Sequence, residues 1–137
     1  MNKELVSQWN KNKELLRASF EEKAPESYDD IFKRLFEVVL IDKKYSTDKI
    51  TVIDDGDYQG TRIFIIPDDS YQPSESDYLV CAVSYGSCSG CDTFQSIMGD
   101  QWGEEKLSEE QVKDLMMLAL HMVQGTKPLF ANEYVNN

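Results

Sequence analysis

The chain has 137 residues, 41% of them hydrophobic, and a formal net charge of −11. That length suits one domain with a packed core, and the composition excludes global disorder. No apolar run approaches the roughly 20 residues of a membrane span, and the strongly negative charge disfavours direct binding to nucleic-acid phosphates.

Charge is spread unevenly. Residues 1–49 hold ten acids and ten bases, whereas residues 50–137 hold fifteen acids and only Arg62, Lys106, Lys113 and Lys127 as bases. The later segment therefore carries the whole −11. This predicts an acidic surface that attracts a basic protein partner. The opening Met1-Asn-Lys-Glu-Leu-Val6 mixes charges and lacks the apolar stretch of a signal peptide. A cytoplasmic chain with its three cysteines reduced is the expectation.

Residues 3–22 read as a helix, with Leu5, Trp9, Leu16 and Phe20 on one stripe at helical spacing. Pro25 ends it. Ser27-Tyr-Asp-Asp30 opens a second helix in the manner of a capping box. Its apolar set runs from Ile31 to Leu40, and Lys43 and Lys44 suit its C-terminus, where cations meet the negative end of the dipole.

The period then changes. Ile50–Asp54 and Thr61–Ile66 are short and rich in β-branched residues, with an Asp-Gly turn signal between them. They predict an antiparallel hairpin. A third strand, Tyr78–Ser84, is apolar on both faces, which predicts cover on both sides. A short helix over Thr93–Met98 follows. The final helix starts at the capping box Ser108-Glu-Glu-Gln111 and stops at Gly125. Its core stripe is Val112, Leu115, Met116, Ala119, Met122 and Val123. The order predicts one α+β domain: a three-stranded antiparallel meander (50–54, 61–66, 78–84) packed by two N-terminal and two C-terminal helices.

The stretch richest in chemistry is the turn Tyr85-Gly86-Ser-Cys88-Ser-Gly90-Cys91-Asp92. Two thiols three residues apart before a helix can form a redox couple, with Cys88 attacking and Cys91 resolving. They can also supply half of a zinc site, in which case Cys81 and His121 must complete the four ligands. Small side chains at a helix start can instead form a tight connection, or offer backbone N–H groups to an anion. Strands before the motif and only helices after it cannot assemble a thioredoxin-like unit. Acidic neighbours such as Asp92 and Asp100 oppose thiolate formation. The leading reading is thus a structural turn with no cofactor; a thiol–disulfide redox protein using Cys88 and Cys91 is the first alternative, and a structural zinc site the second.

The carboxylates favoured for partner binding fall in four groups: Asp54, Asp55 and Asp57; Asp68 and Asp69; Asp100, Glu104 and Glu105; Glu109 and Glu110. Trp102 is a candidate aromatic anchor among them. The aspartates around Gly56 are similar to a calcium loop, but Ile65 stands where the closing glutamate is needed.

The segment Val83-Ser-Tyr-Gly-Ser-Cys-Ser-Gly-Cys-Asp-Thr-Phe-Gln95 resembles a motif in small uncharacterised proteins encoded by tailed bacteriophages. That resemblance implies a host cytoplasm and an accessory role. It extends by analogy to inhibitors of host defence that occlude the basic, nucleic-acid-binding face of a host protein.

Overall fold

The structure, a computed structural model, describes residues 2–56, 60–70, 77–85, 93–98 and 106–129. Helix α1 spans Asn2–Glu22. Its stripe Leu5, Trp9, Leu16 and Phe20 is fully buried, as the spacing predicts. The same face also buries two amides. Asn12 Nδ2 donates to the Val39 carbonyl at 2.8 Å, and Gln8 Oε1 accepts from Asp42 N at 3.1 Å.

Those amides explain why the second helix is shorter than its sequence predicts. Helix α2 covers Tyr28–Arg34 and widens into a single π-helical turn, Leu35–Val39. Leu40 donates to the Leu35 carbonyl and then leaves the helical path. Val39 O and Asp42 N, which a longer helix would pair internally, are paired by α1 instead. Lys43 and Lys44 therefore lie beyond the helix rather than on its last turn.

Arg34 locks the two helices together. The residue is 9% exposed, and its guanidinium forms an ion pair with Asp30 at 2.9 Å. It also donates to the Lys23 carbonyl at 2.7 Å and to the Ser19 hydroxyl at 3.2 Å. The bond to Lys23 satisfies a carbonyl just past the end of α1. The same guanidinium lies over the Phe20 ring.

The sheet has four antiparallel strands where the sequence predicts three. They are β1 (Thr51–Gly56), β2 (Gly60–Pro67), β3 (Tyr78–Tyr85) and β4 (Lys127–Pro128), in the order β1-β2-β3-β4. The additional strand is only two residues long. It forms because Thr126 Oγ1 bonds the Met122 carbonyl at 2.7 Å, and Leu129 N then donates to the Tyr78 carbonyl. That lays the chain beside Leu79 and Val80. In the β1–β2 hairpin, a Cβ on Gly60 would sit 2.2 Å from the Asp55 carbonyl oxygen, so only glycine permits this approach.

Helix α3 (Thr93–Met98) and helix α4 (Glu109–Gly125) complete the helical layer. Ser108 and Gln111 form the capping box of α4. The core lies between the helices and one face of the sheet, where Phe64, Ile66, Leu79 and Cys81 are buried. Phe32 stacks on Phe64 at 5.0 Å and meets Phe36 at 4.9 Å, and Phe36 meets Tyr45 edge-on at 5.2 Å. Burying each such ring stabilises the fold by roughly 1.5–3 kcal/mol.

The other face of the sheet, with Ile53, Ile63 and Val80, carries no described helix. Among the described residues, strand β3 is therefore covered by helices on one side only, with Ala82 and Ser84 exposed. Its apolar residues on the open side are small or β-branched, which suits a pleated surface as well as a core. No described helix is long and apolar enough to cross a membrane.

Candidate functional site

The carboxylates singled out in the sequence go to different places. Asp54 stands on β1 directly opposite Arg62 on β2, on the face of the sheet that holds Phe64. Ser27 caps α2 by accepting from Asp30 N, and this sets Asp29 in the first helical turn above the strands. Arg62 fills the gap. Its Nε and Nη2 donate to the two oxygens of Asp29 at 2.7 and 2.8 Å, and its Nη1 donates to Asp54 at 2.7 Å. This planar fork holds one carboxylate with two parallel bonds and reaches a second. The Arg62 pKa is pushed up, first by the hydrogen bond to Asp29.

Aromatic side chains finish the site. The Tyr85 hydroxyl bonds the Asp54 carboxylate and lies 2.8 Å from the Gly56 carbonyl. The Tyr28 hydroxyl accepts from Phe94 N at 3.0 Å, and the two rings meet at 5.5 Å. Together these groups line an open cleft of about 310 Å³, with Glu26 and Gln95 at its rim. Among the described residues of its lining, three carboxylates (Glu26, Asp29, Asp54) outnumber the one guanidinium, so that lining is negative on balance. Lys23 lies 3.9 Å from Glu26, but both are well exposed, and such a pair contributes little.

Asp68 and Asp69 do something else. Lys43 Nζ lies 3.2 Å from Asp68 and 4.0 Å from Asp77, and Lys44 Nζ lies 3.3 Å from Asp69. The Ser70 hydroxyl and backbone N–H both donate to Asp68, and the Ser46 hydroxyl donates to Asp69. Backbone bonds from Ser46 N to the Pro67 carbonyl and from Asp69 N to the Lys44 carbonyl close the strap. Hydrogen bonds from Ser70 hold the Asp68 pKa below its ordinary value, and those from Ser46 do the same for Asp69. The bond to Asp68 raises that of Lys43. The cations come from the charge-neutral N-terminal segment, so a division of charge along the sequence is not a division in space.

Of the remaining candidates, Asp55 is exposed on β1, and Glu109 and Glu110 are exposed in the first turn of α4, where the helix dipole favours them. Asp57, Gly86, Cys88, Gly90, Cys91, Asp92, Asp100, Trp102, Glu104 and Glu105 lie outside the described residues. Cys81 is buried, its Sγ is 3.5 Å from the Met122 carbonyl, and burial pushes its thiol pKa up to about 11. A thiol that stays protonated at neutral pH is a poor metal ligand or nucleophile. His121 is exposed on α4. Among the described residues, no group of three or more His, Cys, Asp or Glu side chains is placed to hold a metal ion.

Sequence reasoning missed Glu26, Tyr28, Asp29 and Phe94 as members of a site. One signal was present: Arg62 is a lone base in an acid-rich stretch, and a semi-buried arginine must find carboxylates. Comparison with protein-family models, curated proteins and solved structures finds no significant match.

Proposed function

We propose that this chain is a small protein-interaction domain that engages a basic protein partner. In this reading the cleft around Arg62 receives a lysine or arginine side chain of that partner. The observation that carries it is the imbalance in the cleft, where Glu26, Asp29 and Asp54 outnumber Arg62 beside Tyr28, Tyr85 and Phe94. Carboxylates beside an aromatic ring favour an alkylammonium or guanidinium group, and a cation over the partly exposed Tyr85 ring would add roughly 0.5–1 kcal/mol. The net charge of −11 favours rapid encounter with a positive surface.

The phage resemblance extends the reading to a cytoplasmic host protein whose basic, nucleic-acid-binding face becomes covered. A titration with fluorescent oligolysine at stepped ionic strength tests the core of this proposal. Asp54→Asn and Glu109→Gln remove the same charge, one inside the cleft and one outside it. Affinity should fall with salt and should drop severalfold more for Asp54→Asn. Equal effects of the two variants, or binding indifferent to salt, would overturn the reading.

A further inference from the structure

Strand β1 is the outer strand of the sheet at the end beside the cleft, and all six of its residues are exposed. Its register with β2 runs without a bulge from Thr51–Ile65 to Gly56–Gly60. It contains neither proline nor lysine, the residues that commonly blunt a sheet edge. Val52 and Ile53 are 37% and 46% exposed, two of the few large apolar side chains left so open. Among the described residues no further strand pairs with β1, so its outer backbone groups can bond an extended chain.

The side chains along β1 say what kind of chain. Val52 and Asp54 lie on the helix-covered side, and Ile53 and Asp55 lie on the open side. Each face therefore offers one apolar position followed by one carboxylate. Asp54 also lines the cleft, so a residue paired with it from a new strand would place its side chain at the cleft rim. A second copy of β1 would set its carboxylates either opposite or diagonal to the same carboxylates, or opposite Ile53 and Val52, on a molecule already at −11. An incoming strand with bases opposite Asp54 and Asp55 is matched in charge.

Resting on the reading of a basic partner, we propose that β1 binds an extended segment of that partner as an additional antiparallel strand. The segment reads basic–basic–apolar–apolar from its N-terminus. The bases stand opposite Asp55 and Asp54, and the apolar pair stands opposite Ile53 and Val52. The antiparallel sense follows the rest of the sheet, where each neighbouring pair already runs that way. On the open side the incoming apolar residue extends the row Ile53–Ile63–Ala82. On the covered side its neighbour extends the row Val52–Phe64–Cys81. Backbone bonds supply affinity, and the alternating pockets supply choice of sequence.

The test uses the full chain and a capped peptide, Thr-Lys-Lys-Ile-Val-Thr, with two further versions N-methylated at alternate residues in opposite phases. The parent peptide should bind and slow hydrogen exchange at backbone amides of residues 51–56. Only alternate residues of an antiparallel strand bond its neighbour. One methylated version should therefore lose about tenfold or more in affinity, while the other retains most of it. A scrambled peptide of equal composition should bind more weakly than the parent.

Binding of both methylated versions as tightly as the parent would overturn strand pairing while leaving charge-based partner binding intact. Absence of saturable parent binding would also overturn it. So would exchange protection of β1 that grows with protein concentration without peptide, since a second copy would then occupy the edge. The basic-partner reading fails separately, when Asp54→Asn leaves oligolysine binding no weaker than Glu109→Gln does.

Discussion

Two carboxylate clusters in this molecule have similar sequence and different surroundings. Asp68 and Asp69 meet Lys43 and Lys44, delivered by the chain between the π-helical turn and β1, and every contact tightens the joint between helices and sheet. Among the described cations Asp54 and Asp29 meet only Arg62, and Glu26 at the rim has only the exposed Lys23 near it. The first cluster is a strap, and the second is a cleft with negative charge to spare. The difference teaches that a run of acids acquires its role from the cations that the fold brings to it.

One aromatic row supports both clusters. Phe64, Phe32, Phe36 and Tyr45 follow one another from the strand of Arg62 to the neighbourhood of Lys43. Phe32→Ala should therefore have the largest effect, a loss of about 3–5 kcal/mol in chemical denaturation. If Phe32→Ala costs less than about 1 kcal/mol, the shared support is misassigned.

Arg62→Gln separates the two clusters more finely. It removes the cation that joins α2 to the sheet and leaves Asp29 and Asp54 without that counter-charge, Asp54 keeping its bond from Tyr85. Partial exposure of all three side chains limits the cost to about 1–2 kcal/mol of stability. The same change makes the cleft more negative, so oligolysine should bind tighter despite the weaker fold. Fluorescence titration beside a denaturation curve reads both effects. A weaker fold together with weaker binding would mean that Arg62 itself holds the ligand.

Asp68→Asn should cost less, about 1 kcal/mol at neutral pH, and should leave oligolysine affinity unchanged. Its signature is in acid. The folded pKa of Asp68 lies below the ordinary 3.8, so its contribution is complete above that value and is lost as pH falls through the lower folded one. The stability gap between wild type and Asp68→Asn should close as pH falls below the ordinary carboxylate pKa through the lower folded one. A gap that stays constant would show that the Lys43 strap adds nothing.

Glu109→Gln and Glu110→Gln should give the smallest change, about 0.3–1 kcal/mol each, because only the dipole of α4 favours these exposed charges. Larger losses would reveal a third cluster with its own partner.

Much of the fold was legible in the sequence. The stripe of α1, the Ser108–Gln111 capping box and the β-branched strands each follow one period or one local hydrogen-bond pattern. The misses are all long-range. Asn12 and Gln8 end the second helix from 27 and 34 residues away. Strand β4 depends on a two-residue meeting with β3 that no local signal marks. The cleft joins Asp29 to Arg62 across 33 residues. Spacing rules report neighbours on one element, and none of these pairs share one. The lysines of the strap show the same limit: cations suit a helix ending, but the helix stops at Val39.

Amide shift mapping of isotope-labelled protein during titration with tetralysine measures the central distinction directly. The account predicts the largest shifts at Ser27–Asp29, Asp54, Arg62 and Phe94–Gln95, with residues 68–70 and 109–111 nearly unmoved. Largest shifts at Asp68 and Asp69, or shifts spread evenly over every exposed carboxylate, would contradict it.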